Sequence, residues 1–304
     1  MIDVFNINDN SLDNQVFYYA GDLKWQTWYK PPNCKFVNFY LIGGGAGGQG
    51  GPTGSTINRS GGSGGGSAAI SYFTVPAFSL PDILYVLVAS GGTGGVVPSG
   101  RGGQGTISYI STQADNSLSP YNILMKSGSG NAGATTSVTA GAALTTSDII
   151  LSEIAFVSSY AGQTGGAGGV TSGSAPNITP SGLPTTPGAG GAGVTSAGVL
   201  GTAGSILPIL DFPRISGGTS ASSSGATKGQ NGFLTRTNFV GSNFKYPMFF
   251  VGGAGGGSSH TDNGGAGGAG SYGCGGGGGG GGGSGTSGGA GGKGGDGLVI
   301  ITAS

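Results

Sequence analysis

Of the 304 residues, 74 are glycine, close to one in four where an ordinary globular chain has roughly 7%. Eleven basic residues balance eleven acidic ones and charged residues make up only 7% of the chain, so it lacks the cationic surplus that a phosphate backbone demands of its partner. Wholesale disorder is excluded as well, because 36% of residues are hydrophobic and thirteen phenylalanines, eleven tyrosines and two tryptophans are present, enough apolar surface for a core.

The chain begins Met1-Ile2-Asp3-Val4, without the basic start and apolar run of a signal peptide, and no apolar stretch approaches the ~20 residues of a membrane span. The expectation is synthesis in a cytoplasm and no membrane insertion. Residues 1–24 are read as an N-terminal attachment segment, and 25–304 as a single glycine-rich β domain with an irregular insertion at about 128–247. Trp25-x-x-Trp28-Tyr29 follows. Aromatics so close together often form a sugar platform, but at the threshold of the first strand the reading is core packing or an anchoring contact. Runs rich in β-branched and aromatic residues then predict strands at Phe36 to Ile42, Ala68 to Val75, Ile83 to Ala89, Thr106 to Ile110, Tyr121 to Met125, Ile149 to Val157, Met248 to Val251 and Leu298 to Thr302. No segment carries a helical period. Residues 154–210 contain no charge, which points to packing against other arms or another subunit.

Between the strands the glycine is periodic. Gly44 to Pro52 reads GGA GGQ GGP, Gly165 to Val170 GGA GGV, Gly264 to Ala269 GGA GGA and Gly288 to Asp296 GGA GGK GGD. A period of three matches the three residues per turn of a polyproline II helix, leaving two bare edges and one edge of X side chains. Such a helix has no internal hydrogen bonds, so its N–H and C=O groups must pair sideways. Gly44, Gly47, Gly265, Gly268, Gly289 and Gly292 are therefore expected to be structural, at positions where backbone meets backbone. The strands run directly into the arms, as in Tyr40-Leu41-Ile42-Gly43-Gly44 and Gly295-Asp296-Gly297-Leu298-Val299. The predicted fold class is all-β, a β-sandwich-like core extended by packed polyglycine II arms.

Motifs for chemistry are sparse. Gly43-Gly44-Gly45-Ala46-Gly47-Gly48 satisfies G-x-G-x-x-G, but Pro52 and more glycine follow where a helix should open, and no acidic residue occurs before Asp82. Lys293 is followed by Gly294 where a P-loop needs Ser or Thr. His260 is the only histidine, so a multi-histidine metal site is excluded and any catalytic triad would have to use this one base. Glu153 is the only glutamate, and scattered aspartates offer no spacing for paired-carboxylate hydrolysis. No cofactor, metal or catalytic activity is expected. Cys34 and Cys274 leave both a disulfide and two free thiols open. Arg214, Lys228, Arg236 and Lys245 interleave with Phe233, Phe239, Phe244 and Tyr246, a mixture single-stranded nucleic acid would use; in a neutral chain, contact with a neighbouring protein is the preferred reading, with no nucleic acid.

Thr27-Trp28-Tyr29-Lys30-Pro31-Pro32-Asn33, followed by Val37-Asn38-Phe39-Tyr40-Leu41-Ile42-Gly43-Gly44-Gly45-Ala46-Gly47-Gly48, resembles the opening of the glycine-rich domain of bacteriophage tail-fibre and other virion proteins. Gly288 to Ile301 resembles its close. The resemblance covers residues 25–125 and 248–303. Within that family, some fibre-tip adhesins carry parallel polyglycine II arms ending in variable receptor-binding loops. It implies a non-enzymatic structural protein on the virion surface, as fibre, spike or fibre-tip adhesin. Its partners would be other virion proteins and a host surface glycan or protein, and it would form a homo-oligomer, with a trimer favoured. Receptor contacts are expected at the loops holding Asn58 and Arg59 and His260, Thr261 and Asp262, with 177–187 a further tip. A capsid decoration protein without receptor binding and an ice-binding polyglycine II protein are the alternatives.

Overall fold

The computed structural model describes residues 13–53, 59–131, 155–170, 173–180, 185–195, 197–208, 213–222, 225–236 and 248–304. The strands are β1 (Asp13–Tyr18), β2 (Gln26–Tyr29), β3 (Phe36–Ile42), β4 (Ile70–Pro76), β5 (Ile83–Leu87), β6 (Tyr109–Ser111), β7 (Ile123–Lys126), β8 (Phe156–Tyr160), β9 (Leu234–Arg236), β10 (Met248–Phe250) and β11 (Leu298–Ala303). A five-stranded sheet in the order β1-β11-β3-β4-β8 faces a four-stranded sheet, β2-β5-β6-β7, and β9 pairs with β10. Every pairing is antiparallel. Alternation along the strands decides what lies between the sheets. Val37, Phe39 and Leu41, Phe73 and Val75, and Val299 and Ile301 project from one sheet, and Trp28, Leu84, Val86, Ile110 and Met125 from the other. The Trp28 indole meets the Phe39 ring edge-on, with centroids 6.1 Å apart. The fold is all-β.

The opposite face of the five-stranded sheet is also covered. Ile42, Ile70, Leu298 and Ile300 pack there against Phe250 and Cys274. These last two residues belong to the glycine-rich part of the chain, so one apolar layer joins sandwich and arms.

The arms leave one end of the sandwich and form a lattice with a hydrogen-bond period of three. In the run Gly275 to Gly283, the N–H groups of 276, 279 and 282 donate to Ala46, Gln49 and Pro52, those of 277, 280 and 283 to Gly268, Gly265 and Asp262, and those of 275, 278 and 281 to Thr186, Ala189 and Ala192. Its carbonyls accept from 253, 256 and 259, from 65 and 62, and from 292 and 289. The run thus has six neighbours, which is why it has no X residue: with an arm on every side, its glycines lie against backbone, and only Gly281 near its far end has room for a Cβ. The arm at 287–296 lies at the surface, and its X residues Ala290 and Lys293 are exposed. Residue order along these bonds also gives chain direction. The nine-glycine run is parallel to 46–52, 186–192 and 253–259 and antiparallel to 262–268, 62–65 and 289–292. Outgoing and returning arms therefore run in opposite directions, where the resemblance implied parallel ones.

Three strands escaped the sequence reading. β1 lies within the expected attachment segment, yet Asp13–Tyr18 pairs along its whole length with β11. β2 and β9 have four and three residues, too short for alternation to register. Between 128 and 247, where irregular structure was expected, β8 extends the large sheet, and the described residues between 161 and 207, all uncharged, supply further arms packed on the chain's own lattice, as in Gly166 N–H to Gly188 O and Gly191 N–H to Gly62 O. Phe239, Phe244, Lys245 and Tyr246 lie outside the described residues. Both cysteines are free thiols, Cys34 half-buried and Cys274 buried.

Candidate functional site

Among the described residues, outgoing arms turn back at the end of the lattice away from the sandwich, at one level. Ser99 N–H bonds to Gly51 O and Gly282 N–H to Pro52 O; Ser259 N–H reaches Gly281 O, His260 N–H Ala221 O, and Gly283 N–H Asp262 O. Arg59 and Val194 exchange both backbone bonds at 2.8 Å. The distal surface is therefore assembled from turns distant in sequence, around 96–99, 195–199, 260–263 and 284–286.

The 260–263 turn is the most thoroughly built. Asp262 accepts the Asn263 N–H on its carboxylate at 2.7 Å and the Thr286 hydroxyl on its carbonyl at 2.8 Å, while its own N–H donates to Ser259 Oγ. Asn263 Oδ1 accepts the Ser287 N–H, and Thr261 Oγ1 donates to Ser222 O. Thr261, Asp262 and Asn263 are exposed. The His260 imidazole covers Gly198, whose φ of +81° marks a left-handed turn with the ring 3.1 Å from where a Cβ would stand. A side chain at 198 would push the histidine aside. Exposed apolar residues that the sequence reading overlooked stand at the ends of arms: Val96, Val170 and Val199 are 72%, 68% and 58% exposed, and Val199 follows the Gly198 that His260 covers. Their signal was visible in retrospect, as a β-branched residue at the apex of a glycine hairpin has no strand to serve.

Two expected tip positions fall elsewhere. Arg59 is buried, and its guanidinium donates to Gly282 O, closing the end of the nine-glycine run; burial pulls it below its ordinary pKa. It is part of the lattice wall because its own backbone pairs with Val194. Asn58 lies outside the described residues. Of 177–187, Asn177 caps Ser205 N–H and Thr185, buried, bonds to Ala68 O next to the sandwich, so the described part of this stretch is held inside the lattice and at its proximal end. The glycines named from the sequence all lie at close approaches: a Cβ at Gly44, Gly47, Gly265, Gly268, Gly289 or Gly292 would overlap the carbonyl of Ser90, Thr93, Thr227, Gln230, Gly265 or Gly268 respectively.

Chemically, the distal surface offers hydroxyls, amides, one carboxylate, one imidazole and exposed valines, a set suited to non-covalent recognition. Among the described residues no group of three or more His, Cys, Asp or Glu side chains could hold a metal ion, and no helix is long and apolar enough to cross a membrane. Residues 21–150 match a family described as a glycine-rich domain. The match takes in the four-stranded sheet, the strands β3 and β4 and the arms that join them; beyond it, the later arms of the glycine-rich lattice obey the same period of three. No curated protein matches the sequence.

Proposed function

We propose that the chain is a non-enzymatic surface protein of a phage-like virion, a fibre, spike or fibre-tip adhesin whose distal turns attach the particle to a host surface glycan or protein. The observation that carries this reading is the gathering of the turns at one end of a rigid lattice, opposite the sandwich. Turns held by a scaffold can vary in sequence without unfolding it, and here they are the part of the lattice free of the backbone contacts that forbid side chains elsewhere. The resemblance at both ends of the glycine-rich region supplies the virion context. The sandwich end would face other virion proteins or copies of the chain, with a trimer favoured; light scattering of the purified chain reads this directly, and a folded monomer at micromolar concentration counts against it.

The test replaces exposed turn residues and spares the lattice. Thr261→Ala, Asp262→Ala and Val199→Asp together are expected to abolish adsorption of particles to host cells while assembly and melting temperature are unchanged. Adsorption left intact, with particles less resistant to heat or osmotic shock, would assign the chain to capsid decoration instead.

A further inference from the structure

The Trp25-x-x-Trp28-Tyr29 cluster is divided by the strand it lies on. Trp28 points into the core and is 1% exposed. Successive residues of a strand alternate between its faces, so Thr27 and Tyr29 belong to the outer, solvent side of the four-stranded sheet, and Trp25, the residue just before β2, is tied to a loop on that side by its bond to Asn116. Register places a third aromatic among them. Thr27 pairs with Tyr85 and Tyr29 with Ile83, so Tyr85 lies diagonal to Tyr29, and Trp25 enters β2 one residue before the Gln26–Val86 pair that follows Tyr85 in the register. Diagonal neighbours on one sheet face are ~7–8 Å apart, and Trp25 and Tyr29 are four residues apart, about 13 Å along extended chain. Three aromatic rings thus surround one small exposed residue, Thr27. Tyr29 is 64% exposed, and Trp25 and Tyr85 are half-buried.

A polar wall stands beside this triangle. The loop between β6 and β7 is pinned at its base by the Ser111 hydroxyl, which donates to the carbonyls of Gln113 and Asn122, and Ser111 is on the outer face because it pairs with Tyr85. From there the loop crosses to Trp25, whose indole N–H donates to Asn116 Oδ1 at 3.1 Å. It carries Gln113, Asp115, Asn116, Ser117 and Asn122. The amide and hydroxyl of Ser117 both bond to the Asp115 carboxylate, fixing the loop's shape next to the rings.

We propose that Trp25, Tyr85 and Tyr29, with the 113–122 loop as their wall, form a binding site for a neutral oligosaccharide of two or three units. The C–H faces of pyranose rings stack on aromatic faces, while their hydroxyls need carboxylate and amide partners at the side, and this site places both within the ~13 Å that such a segment spans. The aromatic face of a sheet can also stack nucleobases, but that use needs cations tracking a phosphate backbone, and here the nearest charge of the wall is the anionic Asp115. The site lies on the flank of the sandwich and is independent of the distal turns.

The two tryptophans make the test direct, because Trp28 is sealed in the core and Trp25 alone can report a ligand. The purified full chain is screened on a printed array of neutral and acidic glycans, and the best neutral binder is titrated by tryptophan fluorescence and by calorimetry. A saturable fluorescence change is expected, lost in Trp25→Phe while calorimetric binding persists; Tyr29→Ala and Tyr85→Ala should each weaken binding at least tenfold. Tyr29→Ala removes an exposed ring and should leave the melting temperature in place, so its loss of binding is not a loss of fold. The distal variant Thr261→Ala/Asp262→Ala/Val199→Asp should bind the same glycan with wild-type affinity. No neutral binder on the array, a preference for oligo-dT over every glycan, or binding insensitive to Tyr29→Ala would overturn the proposal.

Discussion

At the scale of single residues, the glycines are not equivalent, and the lattice says which can be changed. A Cβ on Gly279 would overlap the carbonyl of Gly289, held in place by the arms around it. On Gly281, two residues later in the same uninterrupted run, the nearest atoms, Arg59 Cβ among them, are 3.5 Å away, an ordinary contact. Gly279→Ala should therefore destabilise by about 1–3 kcal/mol, as overpacking does, whereas Gly281→Ala should be neutral or stabilise by up to ~1 kcal/mol by restricting the unfolded chain. Thermal melts of the pair read the difference; equal shifts would remove the basis for the lattice. Cys274 provides a second probe. Burial pushes its thiol up to about 12, and desolvation raises the half-buried Tyr40 phenol too. Both groups stay protonated in the folded chain at pH values where they ionise in the unfolded one. The unfolded state then binds fewer protons, so stability is complete below the ordinary thiol range and falls as pH rises toward 12. Denaturation midpoints measured from pH 8 to 11 should fall, and less steeply in Cys274→Ala, while alkylation of the native protein should modify the half-buried Cys34 long before Cys274.

Among the elements, long alternating strands and the period of three could both be read directly, because each is a repeat and a repeat survives without its context. Phe36 to Ile42 and Leu298 to Thr302 were placed to within a residue, and the GGX arms were recognised as arms. Asp13–Tyr18 was not, since DNQVFY is a strand only by virtue of β11 beside it. The candidate site divided in the same way. The 260–263 turn was legible as a polar island between glycine runs, but Arg59 looked like a tip residue because its burial depends on Val194 and Gly282, which no local pattern can supply. The period itself can be tested by changing its phase. One glycine inserted between Gly291 and Gly292 would move Ala290 from its exposed X position into the slot of Gly289, where a Cβ overlaps the Gly265 carbonyl. Three glycines inserted at the same point return Ala290 to an X position, one turn further out. The single insertion is expected to lower the melting temperature well below that of the triple insertion, although it adds less chain. A loss that grows with insertion length would instead mark the arm as an ordinary loop.

For the molecule as a whole, the question is how a chain so rich in glycine holds one conformation. Ordering glycine costs roughly 0.5–1 kcal/mol more per residue than ordering alanine, and a net backbone hydrogen bond contributes roughly 0.5–1.5 kcal/mol. These are of the same order, so an arm is stable only where nearly all its N–H and C=O groups are paired, and pairing requires neighbours on every side. Stability in the lattice is therefore collective: Gly275 to Gly283 depends on six other arms, and those arms are anchored at one end by strands that share the sandwich core. Amide hydrogen exchange distinguishes this from a sandwich carrying loose loops. If the lattice and core open together, the amides of Gly276 to Gly281, each donating to a neighbouring arm, should exchange as slowly as those of Val37, Phe39 and Leu41. Thr261, Ser284 and Gly285 at the distal turns, for whose backbone N–H groups no backbone acceptor is found among the described residues, should exchange within the fastest class. Slow exchange in the strands with fast exchange throughout 276–281 would show that the arms are not a cooperative unit, and the rigid display on which the attachment reading depends would fall with it.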